Sequence, residues 1–139
     1  MAGSIRERLR EAILKEEKRP FETREEAYAK DRAVQDLFRP ICQAAEEISD
    51  ELESVPSLKF TINPTSVWIT LFDREIRFSC DADSQKFVSE ESGHTWYDRE
   101  TYTDLQRWDT VEECIDAMIR SSAAYARMAR TIQSAMSAA

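Results

Sequence analysis

The sequence predicts an α+β fold: an antiparallel four- to five-stranded meander flanked by a kinked N-terminal helix and a long C-terminal helix packed on one face. Three observations predict it. Residues 58–80 alternate apolar and polar side chains in three short runs, Leu58–Ile62, Val67–Phe72 and Glu75–Cys80, broken by Asn63-Pro64-Thr65-Ser66 and by Asp73-Arg74. That is the period of half-buried strands joined by hairpins. Residues 24–52 and 111–136 instead repeat their apolar side chains every three or four positions, the period of a helix with one buried face.

Ser4-Ile5-Arg6-Glu7 is a capping box, and Ile5, Leu9 and Ile13 follow on one stripe, so a short peripheral helix spans residues 5–17 within an N-terminal segment 1–20. Lys18-Arg19-Pro20 ends it, because proline disfavours helix in the residue before it. A second box, Thr23-Arg24-Glu25-Glu26, opens the segment 23–54. The stripe of Val34, Phe38, Ile41, Ala45, Ile48 and Leu52 keeps phase across Pro40, which favours one kinked helix over two. From Glu46 to Glu53 its exposed side carries five acids and no base.

In the sheet, expected over 57–98, Leu58, Phe60, Ile62, Val67, Ile69, Leu71, Ile76, Phe78 and Cys80 share the core side. Trp68 and Phe72 are expected on the opposite side. A fourth strand is read around Lys86–Ser89, a turn at Glu90–Gly93 and a fifth strand at His94–Tyr97, with a long ordered loop over 99–109. Asp109 or Thr110 then caps the last helix, 110–137, with Glu112 or Glu113 closing the box. The whole is expected to form one domain, 1–139.

Charge restricts the class of partner. Twenty-seven acids against nineteen bases leave a net −8, concentrated as −5 over residues 40–56 and −7 over residues 81–113. Such a chain is poorly suited to nucleic acid, whose affinity comes from lysine and arginine neutralising phosphates. No run reaches the length of a membrane span, and the three separated cysteines, Cys42, Cys80 and Cys114, look like buried free thiols of a reducing, cytoplasmic compartment.

Chemical signatures are weak. Asp81-x-Asp83 fails as a calcium loop, because Lys86 and Ser92 stand where glycine and glutamate are needed. His94 is the lone histidine and has no nucleophile motif around it, and two glycines, Gly3 and Gly93, are too few for a phosphate-cradling loop. No catalytic residue, metal ligand or cofactor is expected. What stands out is an aromatic, acidic stretch: Trp96, Tyr97, Asp98, Glu100, Tyr102, Asp104 and Trp108, to which Trp68 and Phe72 are added as partner-binding candidates.

The expected function is a small acidic protein-binding module of inhibitor, immunity or chaperone type, meeting a basic protein partner with no direct contact to nucleic acid or membrane. The alternative is a homodimeric assembly protein that self-associates through helices 24–52 and 111–136. Less favoured is an enzyme or small-ligand binder with a pocket near Pro40 lined by Cys42, Cys80 or Cys114.

Overall fold

The computed structural model describes residues 3–18, 24–94 and 101–138. The elements run α1 (Ile5–Lys18), α2 (Arg24–Glu51), β1 (Leu58–Asn63), β2 (Ser66–Leu71), β3 (Arg74–Cys80), β4 (Phe87–His94), β5 (Thr101–Trp108) and α3 (Val111–Ala138). The chain divides into two compact units, Met1–Lys30 and Asp31–Ala139.

In the first unit, α1 begins where Ser4 caps it, the Glu7 amide donating to Ser4 Oγ at 3.2 Å. None of its residues is buried. The opening of α2 belongs to the same unit, and there the Arg24 guanidinium lies over the Tyr28 ring, 5.6 Å from its centre.

The second unit holds the sheet, a meander in the order β1-β2-β3-β4-β5 with every neighbouring pair antiparallel. Two-residue loops join β1 to β2 and β2 to β3, which fixes the registers Asn63↔Ser66 and Leu71↔Arg74. Because side chains alternate, those registers put Val67, Ile69, Leu71, Ile76 and Phe78 together on one face, all buried. At about 1.5–3 kcal/mol for each large apolar side chain removed from water, they are the main support of the sheet. Leu58, Phe60 and Ile62 are only half-buried, because β1 is an edge strand; Cys80, at the end of β3, is half-buried as well.

Helix α3 crosses this face and touches all five strands. It presents Cys114, Ala117, Met118, Ser122, Tyr125, Ala126 and Ala129, buried at spacings of three and four. Its start is fixed by Thr110 Oγ1, which accepts from the Glu113 amide at 3.1 Å, while Glu113 Oε2 accepts from the Asp109 amide at 3.0 Å. From α2, Phe38, Ile41 and Ala45 join the same core, and the Cys42 thiol donates to the Asn63 carbonyl at 3.2 Å. Pro40 lies inside a continuous α2 and is exposed, between the buried Phe38 and Ile41. A missing amide on the solvent side strands no buried partner, which is why the helix carries through it.

The structure corrects three expectations. Glu90–Gly93 is not a turn: β4 runs unbroken to His94, so a fourth strand at 86–89 and a fifth beginning at His94 are one strand as far as residue 94. Residues 101–108 of the expected loop form β5, paired with β4 from Phe87↔Trp108 to His94↔Thr101. Its helix-side positions hold Asp104 and Gln106, so no apolar alternation announced it. Phe72 is not a far-face strand residue. It starts the β2–β3 turn with φ of 55°, a left-handed conformation usual for glycine.

Among the described residues no helix is long and apolar enough to cross a membrane.

Candidate functional site: a polar cleft under the last helix

The helix-facing side of the sheet changes character along its width. Its middle row reads Phe60, Ile69, Ile76, then Glu91 and Asp104; the next reads Ile62, Val67, Phe78, then Ser89 and Gln106. Only the third row, Cys80, Phe87 and Trp108, remains apolar out to β5. The β1–β3 part is therefore dry core, whereas β4 and β5 turn carboxylates and amides towards α3.

Between them and the helix lies a cleft of about 210 Å³, lined by Ile76, Ser89, Glu91, Asp104, Gln106, Trp108, Ala117, Arg120 and Ser121. Each wall has a structural reason for its place. Trp108 ends β5 half-buried, its indole Nε1 donating to Ser89 Oγ at 3.0 Å. The Arg120 guanidinium sits 5.8 Å from a Trp108 ring centre, a distance at which a cation is attracted by the aromatic face. Tyr125, 1% exposed, reaches across from α3 and donates its hydroxyl to Glu91 Oε2 at 3.0 Å. Gln106 Nε2 donates to Asp104 Oδ2 at 3.1 Å.

Glu91 and Asp104 are direct register partners. Two carboxylates facing one another across an antiparallel pair repel, an arrangement sheets ordinarily avoid. Neither has a lysine or arginine ion-pair partner among the described residues. The cleft thus offers two carboxylate acceptors, an aromatic face and hydroxyl groups, the chemistry that receives an ammonium or guanidinium group. Among the described residues no three histidine, cysteine or acidic side chains gather as a metal site would require.

The predicted contact residues separate. Trp96, Tyr97, Asp98 and Glu100 lie outside the described residues. Tyr102 pairs with Gly93 in the β4–β5 register. Asp104 and Trp108 meet in the cleft, but Trp108 is hydrogen-bonded inward and packs on the core, so it forms a wall. Trp68 is on the far face, in a row Thr61, Trp68, Arg77, Glu90, Leu105 that crosses the whole sheet. There the Arg77 guanidinium lies 5.4 Å from the Trp68 ring centre and 3.6 Å from Glu90, covering the indole. Phe72 is far from that row and borders a separate apolar groove beside α3. Arg120 and Tyr125 were not singled out in the sequence. The available signal was the alternation Tyr102, Asp104, Gln106, Trp108, which becomes legible once 101–108 is read as a strand.

The other reactive-looking groups are committed elsewhere. Asp81 accepts from Ser84 Oγ at 2.8 Å and from the Asp83 amide at 3.2 Å, and those bonds hold its carboxyl below the usual range. Burial raises all three thiols, Cys42 with help from Glu46 and Cys80 with help from Asp81. It pushes Cys114 up to about 12, so this thiol stays protonated and unreactive at neutral pH.

Comparison of the chain with protein families, with curated proteins and with solved structures finds no match to any of them.

Proposed function

We propose that this chain is a protein-binding module that takes a basic partner at the acidic, aromatic end of its sheet, as an inhibitor, an immunity protein or a chaperone does. The observation that carries the reading is the in-register pair Glu91 and Asp104 in the cleft under α3. Opposed like charges cost the folded protein a few tenths to about 1 kcal/mol. A lysine or arginine side chain of a partner entering the cleft relieves that repulsion, while hydrogen bonds to the two carboxylates orient it. The Trp108 face adds a cation–π surface, on which the incoming group competes with Arg120.

Charge elsewhere supports the same reading. Glu46, Glu47, Asp50, Glu51 and Glu53 are all exposed at or just past the C-terminal end of α2, where no base stands in the last turn. Acids there oppose the helix dipole, so they weaken the helix they sit on. As a field they steer a basic surface towards the unit and raise its rate of encounter. The binding step requires no catalytic group and no cofactor.

The test is affinity capture from the native host, comparing the wild type with the double variant Glu91→Gln/Asp104→Asn at low and high salt, with captured proteins identified by mass spectrometry. The reading expects a basic protein held by the wild type at low salt and lost from the double variant. Capture of the same proteins in equal amounts by both chains contradicts it.

A further inference from the structure

We propose that the outer face of α3 pairs with the same face of a second copy, the two helices running antiparallel about a two-fold axis level with Ser121. This goes beyond the reading above, because it concerns the solvent side of α3 rather than the cleft beneath it, and its occupant is this chain itself.

The surface is a stripe with a charge pattern. At about 100° per residue, Glu112, Asp116, Ile119, Ala123, Arg127 and Arg130 fall within an arc of about 80°, opposite the buried row Cys114, Met118 and Tyr125. All six are exposed, Ile119 at 48%. Acids therefore hold one end of the stripe, bases the other, and apolar side chains the middle. Arg120 and Glu113 lie off the stripe: the first sits beside Trp108, and the second accepts from the Asp109 amide.

The four charges of the stripe are uncommitted. None of Glu112, Asp116, Arg127 and Arg130 has an ion-pair partner among the described residues. Glu51 and Glu53 flank Leu52 in the chain, and Leu52 borders the same hollow as Arg130, yet neither acid pairs with it. The helix dipole does not account for the bases either. It acts within the last turn, whereas Arg127 and Arg130 stand about two turns or more before Ala138, and the last turn carries no base.

Beside the bases the surface is concave. Ala123, Ala126, Arg127 and Arg130 line, with Leu52, an open hollow of about 540 Å³. Side chains at the contact set how closely two helix axes approach, and alanines let them come near.

One register satisfies these features together. In a two-fold interface every contact is made twice, residue i of one copy on j of the other and j on i. Placing Ile119 over Ala123 of the second copy puts Glu112 opposite Arg130 and Asp116 within one residue of Arg127. Ile119 then enters at the alanine end of the hollow, and Asp116 and Glu112 follow along its arginines. A wholly basic or wholly acidic partner meets like charge at one end of the stripe. A reversed copy of the stripe meets opposite charge at both.

The experiment is sedimentation velocity of the full chain up to its highest soluble concentration, with an acidic variant, Arg127→Glu/Arg130→Glu, and a basic variant, Glu112→Arg/Asp116→Arg. Ile119→Gln probes the middle of the stripe independently of charge. All five side chains are exposed, and a cooperative melting transition shows that each variant folds. The wild type is expected to be a dimer and each charge variant alone a monomer, because reversal leaves one sign along the whole stripe. An equimolar mixture of the two is expected to form a heterodimer, and Ile119→Gln to weaken the wild-type dimer by about tenfold or more. A wild type that stays monomeric at every concentration overturns the proposal. So does a dimer that survives either charge reversal, a mixture that fails to associate, or an Ile119→Gln dimer as tight as the wild type.

Discussion

Replacing Asp104 with asparagine removes one of two carboxylates that face each other across β4 and β5. Directly opposed residues have their Cβ atoms about 4.5–5.5 Å apart. Like charges opposed in this way disfavour the pair by a few tenths to about 1 kcal/mol. The asparagine oxygen still accepts from Gln106 Nε2, so the substitution removes charge without leaving that donor unpaired. Asp104→Asn is therefore expected to stabilise the fold by about 0.5–1 kcal/mol, a rise in Tm of about 2–4 °C for a chain of this size. Thermal unfolding at low and high salt is the assay. The gain should shrink as the screening length falls from about 30 Å at 0.01 M salt to about 3 Å at 1 M. A variant that is less stable than the wild type at low salt, or whose gain does not respond to salt, refutes the claim that the pair is held against repulsion. Gln in place of Glu91 is a less clean probe, because Glu91 also accepts the Tyr125 hydroxyl bond.

Other outcomes follow from the same contacts. Thr110→Ala removes the acceptor of the Glu113 amide at the start of α3 and should cost about 1 kcal/mol in denaturant unfolding, with an unchanged slope against denaturant. For Cys114, the folded thiol titrates at about 12 against an ordinary 9.0, so its contribution is complete below pH 9 and is lost as pH rises towards 12. Unfolding free energies measured from pH 8 to 11 should fall with pH, and Cys114→Ala should flatten that fall. Alkylation of the native protein at pH 8 should leave Cys114 unmodified until denaturant is added.

Much of the fold was legible because its signals are local. The period-two alternation from Leu58 to Cys80 is printed by a sheet with one dry face, and the stripes of α2 and α3 by helices with one buried side. Hairpin loops of two residues at Pro64-Thr65 and Phe72-Asp73 then set the register without further information. The failures share a cause. β5 and the end of β4 face α3 with Glu91, Asp104, Ser89 and Gln106 while Leu105 lies on the far face, so no apolar period of two marks the strand. The period of β2 assigns Phe72 to the far face because a sequence carries no sign of a left-handed turn residue other than glycine, and this chain, with two glycines, uses Phe72, Ser57 and Gln85 in that conformation. The site was half legible. Asp104 and Trp108 stood out by type, but Arg120 and Tyr125 reach the cleft from a helix distant in sequence, and Glu91 gains its meaning only from the residue across from it.

The central claim is that acidic side chains around this cleft receive a basic partner, and the salt dependence of that partner's affinity tests it most directly. Titration of the captured protein onto the wild type and onto Glu91→Gln/Asp104→Asn, across a series of salt concentrations, should give a Kd that weakens steeply with salt for the wild type. The double variant should bind more weakly at low salt and respond less to salt. An affinity that is unchanged from low to high salt, or equal for the two chains throughout, contradicts the account.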